Sequence, residues 1–329
     1  MSTILVLSAG TRNKIIRYFV EAFGPNGGVV AADMSPYAPA LYETDRRCLV
    51  PPIWDGDYTA HVLEICDRFH VDGVLSLIDP ELSVLAGMKN EFLERDIKLV
   101  GSDGEQCERA LDKMKMHRWL RDHDYPTARS YSGSLETTAA INSGELEFPC
   151  IVKPVRGSAS VSVERVDSSD RLMHIMDHAG WDELMSQELL SGQEIGVDAY
   201  VDLCSGELVS LFTKKKLSMR AGETEKAVSF KDSDLFDYLD AFISESGFSG
   251  PVDIDLFNVG GTYYISEVNP RFGGGYPLAY ECGCNFMDLI KRNLSGEANQ
   301  RRIGGYEENV CMMKYNDLLV IPESDLLAI

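Results

Sequence analysis

The chain is short of positive charge: 31 Lys and Arg stand against 52 Asp and Glu, a formal net charge of −21 over 329 residues. A surface this acidic repels phosphate backbones, so no nucleic-acid partner is expected. A local cluster of Lys and Arg can still hold a nucleotide. No apolar run approaches the roughly 20 residues that span a bilayer, so no membrane partner is expected. Met1 to Gly10 reads as an apolar strand and a turn, without a basic leader or a cleavage site. The 8 cysteines are scattered, and Cys282-Gly283-Cys284 lacks the second pair of a zinc site. Buried thiols in a reducing compartment fit this, and a cytoplasmic location is the expectation. There is no Gly-x-x-x-x-Gly-Lys-Ser/Thr loop. The first turn reads Gly10-Thr11-Arg12-Asn13 in place of the Gly-x-Gly-x-x-Gly of a dinucleotide-binding dehydrogenase. Internal repeats and low-complexity tracts are absent too.

What is present is an alternation of strand and helix patterns over the first hundred residues. Ile4 to Ser8, Val29 to Ala32, Arg47 to Val50 and Val74 to Ile78 read as strands. Lys14 to Phe23, Tyr58 to Phe69 and Pro80 to Leu93 read as helices. Such βα units imply a parallel sheet covered on both faces, with ligands collecting at the carboxyl ends of its strands. Glu105 to Asp122 reads as one charged amphipathic helix that stops before Tyr125-Pro126. Strands are then expected at Phe148 to Pro154, Ser160 to Val166 and Met185 to Leu189, interrupted by a helix at Ser169 to Ala179. Longer strands follow at Ile195 to Asp202, Glu207 to Thr213, Pro251 to Asn258 and Thr262 to Asn269. The expected fold is therefore α/β and α+β: a doubly wound parallel sheet over 1–108, a small lobe over 109–188 and a larger lobe over 189–329.

Three segments carry chemistry. In the first, Lys153 ends an apolar strand and a small-residue loop from Arg156 to Ser162 follows. Apolar flanks leave an ammonium in need of an anion, and glycine and serine let backbone N–H groups approach phosphate oxygens. A β-hairpin with a snorkelling lysine reads equally well from this segment alone. In the second, Gln187-Glu188-Leu189-Leu190 turns through Gly192 into Glu194. A backbone link of that kind can hydrogen-bond an adenine edge, but by itself it also reads as a plain turn. The third is the most specific. Asp255 and Glu267 lie on two strands joined through Gly260-Gly261, and Asn269 shares the face of Glu267 by the period of two. Facing carboxylates repel without a cation, and two carboxylates with an amide oxygen suit Mg²⁺ on nucleotide phosphates. Arg271 follows, placed to hold an anion, and Gly273-Gly274-Gly275 is expected to let a substrate approach the backbone.

Taken in order, these segments resemble the ATP-grasp superfamily, and among it one ATP-binding half of the carbamoyl phosphate synthase large subunit and short free-standing ligases related to it. The resemblance covers nearly the whole chain, including Ile78-Asp79-Pro80-Glu81-Leu82 and Asp112-Lys113. It implies a pre-ATP-grasp domain followed by a two-lobed ATP-grasp fold, with the 109–188 lobe as a lid. It implies ATP and Mg²⁺, with Mn²⁺ as an admissible substitute. Lys113 and Lys153 would contact phosphates, with Gly157 and Ser158 in the following loop. Gln187, Glu188 and Leu190 would form the adenine link and Glu194 the ribose acceptor. Asp255, Glu267 and Asn269 would be the metal ligands, and Arg271 would meet the transferred phosphate or the acid. Lys214 to Met219, Arg220, Gly222 and Lys226 resemble a variable basic loop before the metal strands, from which only Arg220 is carried over.

The implied activity is that of an ADP-forming carboxylate–amine ligase: a carboxylate attacks the γ-phosphorus, and an amine displaces phosphate from the acyl phosphate. Its partners would be a small carboxylic acid and an amine, and a homodimer is compatible with it. Two other readings stay open: carboxyphosphate or carbamoyl-phosphate-type chemistry on bicarbonate, and a non-catalytic ATP sensor. A carbamoyl phosphate synthase large subunit needs two such units, and this chain holds one.

Overall fold

The computed structural model describes residues 2–24, 28–157 and 163–327. Five parallel strands open the chain: β1 (Thr3–Leu7), β2 (Gly28–Asp33), β3 (Arg46–Leu49), β4 (Gly73–Ser76) and β5 (Lys98–Leu99). Their order in the sheet is β3-β2-β1-β4-β5. The sequence order reverses at β1, so a crevice forms at the carboxyl ends of β1 and β4. Between the strands run α1 (Asn13–Phe23), α2 (Tyr58–Phe69), α3 (Asp79–Gly87) and α4 (Lys89–Leu93). α2, α3 and α4 pack on one face of the sheet around Val62, Leu85 and Phe92, and α1 packs on the other around Ile16 and Phe19. The helix expected over Pro80 to Leu93 is two helices, broken at Met88.

The helix expected over Glu105 to Asp122 is also two: α5 (Gly104–Leu111) and α6 (Lys113–Asp122). Asp112 breaks it with extended backbone, φ −100 and ψ 101, and its carboxylate caps α6 by accepting from the N–H groups of Met114 and Lys115. The small lobe follows, with β6 (Ser130–Ser132), α7 (Ser134–Ser143), β7 (Cys150–Pro154), β8 (Glu164–Val166), α8 (Ser169–Ala179) and β9 (Leu184–Glu188). Its sheet runs β6-β9-β7-β8, with α7 and α8 packed over Cys150, Val152 and Val166. α7 was not expected. Its apolar positions mark no clear face, so the helical period is weak there. The first part of the strand expected at Ser160 to Val166 lies outside the described residues.

The large lobe is built on β10 (Gln193–Val201), β11 (Leu208–Arg220), β12 (Glu223–Phe230), β13 (Gly250–Val259) and β14 (Thr262–Asn269), ordered β14-β13-β10-β11-β12. α9 (Ser233–Ser246) covers one face around Leu239 and Phe242. α10 (Tyr276–Glu281) and α11 (Phe286–Leu294) fill the space between the other face and α1, around Tyr276 and Phe286. The short strands β15 (Arg302–Ile303) and β16 (Cys311–Met313) pair with β11 and β12. The basic loop expected before the metal strands is thus a long β-hairpin: β11 runs on through Lys214, Lys215 and Lys216 to Arg220 and returns as β12. The lysines disguised the strand, although Lys214 and Lys216 share a buried face while Lys215 points out. No helix among the described residues is long and apolar enough to cross a membrane.

Candidate active site

A cleft of about 640 Å³ lies where the three sheets meet, lined by the carboxyl end of β4, by β7, by the β9–β10 link and by β11 to β14. That is the size of a small-molecule site.

The β13–β14 hairpin supplies one wall. Gly260 and Gly261, both with positive φ, make its two-residue turn. Pairing starts regularly from Val259 and Thr262 as far as Leu256 with Ile265. Continued unbroken, that ladder would set Asp255 opposite Ser266 and send Glu267 to the far face. A β-bulge intervenes, so Asp255 pairs with Glu267 and Asp253 with Asn269. The three expected metal residues therefore come together with Asp253 as a fourth neighbour.

Their charges show what the site needs. Burial, reinforced by Asp253 and Glu267, pushes the Asp255 carboxyl up to about 7 in spite of Lys216. Lys216 Nζ lies 2.6 Å from Asp255 Oδ1 and 3.0 Å from Glu194 Oε1, with 4% of the side chain exposed. Burial opposes the charge on Lys216, but Asp255 and Glu194 outweigh it and raise its pKa. Among the described residues no cluster of three His, Cys, Asp or Glu is arranged for a metal ion. Two carboxylates and an amide still fit a magnesium ion that keeps water and phosphate oxygens as its other ligands. A carboxyl held at a raised pKa by burial and like charge is a donor that a hard cation would relieve.

Two lysines face this wall. Lys153 is buried in the central part of the small sheet; burial lowers its pKa and Lys113 adds to the effect, while Glu267 and Asp255 oppose it. Lys113 opens α6, with Nζ 3.7 Å from Glu267 Oε1 and bonded to the carbonyl of Gly157. Gly157 holds φ at +119 and lines the cleft; Ser158 lies outside the described residues. Along the link, Gln187 donates to Ser130 Oγ at 2.7 Å. Glu188 binds Arg129 through its carboxylate, and its N–H donates to the Arg129 carbonyl at 2.9 Å. Leu190 also lines the cleft, and among the described residues its N–H makes no backbone hydrogen bond.

Arg271 is buried at the other end. Its Nε and Nη2 donate to Asp79 Oδ2 at 3.1 and 2.9 Å, and Nη1 donates to Phe272 O at 3.1 Å and to Asp253 Oδ2 at 3.4 Å. Burial opposes its charge, but Asp79 and Asp253 raise its pKa above the ordinary arginine value. The glycine run after it makes room for protein side chains. A Cβ on Gly273 would stand 2.2 Å from Asp253 Oδ1, one on Gly274 3.0 Å from Arg12 Nη1, and one on Gly275 2.5 Å from Lys214 Cε. Arg220 is not among the residues lining the cleft: it sits exposed at the end of β11, 3.5 Å from Glu225. Sequence reasoning passed over Lys216, Asp253, Arg12 and Glu223, which all line the cleft. Asp253 carried a signal, a carboxylate two positions before Asp255 on the same strand face, and Lys216 carried one in the alternation of Lys214 and Lys216 on one face of β11. Arg12 and Glu223 carried none, because their neighbours are remote in sequence.

Comparison with known proteins agrees with this architecture. The PylC-like, N-terminal domain family matches residues 4–100, and the ATP-grasp domain family matches residues 110–275, just over half of the chain. The chain is similar to the biotin carboxylase domain of Hydrogenobacter thermophilus 2-oxoglutarate carboxylase, solved with MgADP and bicarbonate. The identity there is 13% and the TM-score 0.74, over 94% of this chain and 73% of that one. It is similar to N5-carboxyaminoimidazole synthetase from Staphylococcus aureus in complex with ADP, at 14% identity and a TM-score of 0.73, over 91% of this chain and 79% of that one. It is also similar to the L-amino acid ligase of Bacillus licheniformis, at 19% identity and a TM-score of 0.69, over 91% of this chain and 75% of that one. At such identities the structures share the fold. With the matched domain spanning both lobes that enclose the cleft, the chain belongs to the ATP-grasp family.

Proposed function

We propose that this protein is a magnesium- and ATP-dependent ligase that activates a small carboxylic acid as an acyl phosphate and passes it to an amine, releasing ADP and phosphate. The observation that carries the reading is the bulged hairpin. It sets Asp255 and Glu267 face to face, with Asn269 beside them, opposite the buried ammonium of Lys153.

Asp255, Glu267 and Asn269 are the residues that would hold Mg²⁺. A bound ion would supply positive charge that offsets the charge of the nucleotide phosphates. Lys153 and Lys113 approach from the small lobe and would neutralise the same phosphates, which supply the anion that a desolvated ammonium lacks. The Leu190 N–H would donate to an adenine edge, and Glu194, held 3.0 Å from Lys216 Nζ, would accept from the ribose. Arg271 would offset charge that grows as the carboxylate attacks the γ-phosphorus. The small lobe meets β14 through Thr127 Oγ1, which donates to Ile265 O at 2.8 Å, and Ile265 N, which donates to Pro126 O at 2.9 Å. Rotation about that contact would close the lobe over the cleft and keep water from the acyl phosphate. A homodimer is the assembly to look for first, since the similar 2-oxoglutarate carboxylase domain is a dimer; light scattering reads it.

The test begins with magnesium-dependent phosphate release over amino acids, short carboxylic acids and bicarbonate. Bicarbonate is included because the carboxylase neighbour was solved with that anion. The acid that responds is then labelled with ¹⁸O. Attack on the γ-phosphorus leaves one labelled oxygen in inorganic phosphate once the amine displaces it. Label in AMP, with pyrophosphate released, would overturn the reading, and so would ATP binding without turnover of any acid.

A further inference from the structure

Two guanidiniums face the first-sheet end of the cleft, and they differ in what they have left to give. All three nitrogens of Arg271 are committed to Asp79, Asp253 and the Phe272 carbonyl. Arg12 meets Glu223 Oε1 through Nη2 at 2.9 Å, and among the described residues its Nε and Nη1 make no hydrogen bond. Its side chain is 24% exposed, and Nη1 lies over Gly274, a glycine of the cleft wall. Arg12 stands in the loop after β1, where the strand order reverses and ligands of an open parallel sheet collect. Glu223 has a second partner: its Oε2 lies 2.7 Å from Lys314 Nζ. It would remain paired if Arg12 turned to another anion.

We propose that Arg12, and not Arg271, clamps the carboxylate of the acid substrate, taking it in place of Glu223. The identity of the anion rests on the ligase reading of the cleft. Once Arg12 turns from Glu223, its Nη2 forms with Nε or with Nη1 a pair of parallel N–H donors that matches a carboxylate, whereas Arg271 would first have to break with Asp79 or Asp253. Arg271 then acts from beneath, as charge held at the reacting end. Glu223 tunes acid affinity as a competitor for the clamp.

The test uses ¹⁵N-labelled protein loaded with Mg²⁺ and ADP and titrated with sodium acetate and with L-alanine. The arginine Nε–Hε resonances are followed, and Arg12 is assigned by its loss in Arg12→Gln. The expected result is a saturable shift of the Arg12 resonance, with binding weakened about tenfold or more in Arg12→Gln, as the loss of a charge-assisted pair requires. Arg12→Lys should fall between the two, ADP affinity should stay unchanged, and Glu223→Gln should bind the probe more tightly. An Arg12 resonance that moves with neither probe, or equal affinity in wild type and Arg12→Gln, overturns the proposal. If Arg12→Gln does not fold, Glu223→Gln decides: affinity unchanged or weaker counts against the clamp. Phosphate release is read separately. Arg12-dependent binding without turnover of any acid would sink the ligase reading and leave the anion site standing.

Discussion

Lys153 shows how a buried strand can leave an ammonium short of anionic partners. Its strand is buried, its ammonium is desolvated, and the two carboxylates across the cleft only partly compensate. The ammonium should therefore matter for phosphates and not for the base. Lys153→Met is expected to weaken ATP by about one to two orders of magnitude, the worth of a hydrogen bond to a charged group, and to leave adenosine affinity unchanged. Calorimetry with both ligands checks this, and equal losses would place Lys153 elsewhere. Asp255 makes a prediction about pH. Its carboxyl stands at about 7 in the folded protein, above the unfolded value of about 4. The folded state thus holds this proton more tightly than the unfolded chain. The stability it contributes is complete below about pH 4 and is lost as pH rises through about 7. A cation that takes the proton's place helps most above that range. The gain in melting temperature from adding Mg²⁺ to the ADP-bound protein should be larger at about pH 8 than at about pH 6. A gain independent of pH would show that Asp255 is not a ligand.

At the scale of elements, two short irregularities aim the site: the bulge in β14 and the break at Asp112. The bulge costs one unpaired residue and moves Glu267 from the far face to the cleft. The break starts a new helix at Lys113, whose side chain then reaches Gly157 and Glu267. Removing the cap should loosen that start. Asp112→Ala is expected to destabilise the chain by about 1 kcal/mol and to weaken ATP as well, since Lys113 is the first residue of the capped turn. Urea unfolding reads the first effect and calorimetry the second. A stability loss with ATP affinity intact would separate the cap from the site. The glycine run is a third device. Gly273→Ala would set a methyl group against Asp253, which Arg271 also holds. It should therefore disturb the site far more than Gly274→Ala, whose nearest neighbours are the flexible ends of Arg12 and Glu223. Acid-dependent phosphate release of the two variants compares them.

At the scale of the molecule, Asp79 and Arg271 tie the first domain to the β13–β14 hairpin. They are 192 positions apart in sequence, and both side chains are about nine-tenths buried, at 7% and 10% exposure. Breaking a buried pair costs about 3–5 kcal/mol, and Arg271 without Asp79 would keep, among the described residues, only Asp253, at 3.4 Å, as an anionic partner. Asp79→Ala should lose stability on that scale and let the first domain unfold apart from the rest. Calorimetry would then show two transitions where the unaltered protein shows one. A single unshifted transition would mean that other contacts, such as α1 against α11, couple the domains by themselves.

The sequence by itself determined the strand–helix alternation of the first domain, its parallel sheet and the segments that face the cleft. Each of these rests on signals a few residues apart: alternation along a strand, glycines at a turn, a lysine after an apolar run. It also carried the link from Gln187 to Glu194 and the cluster of Asp255, Glu267 and Asn269, because both lie within one stretch of chain. It did not carry the register that brings that cluster together. A ladder counted from Gly260-Gly261 puts Glu267 on the far face, and only the bulge in β14 brings it opposite Asp255. Nor did it place Lys216 between Glu194 and Asp255, Asp79 on Arg271, or Arg12 on Glu223. Those partners meet across sheet neighbours and domains whose adjacency no local spacing encodes. Tertiary structure decided them because a buried charge must find a partner wherever the fold has put one.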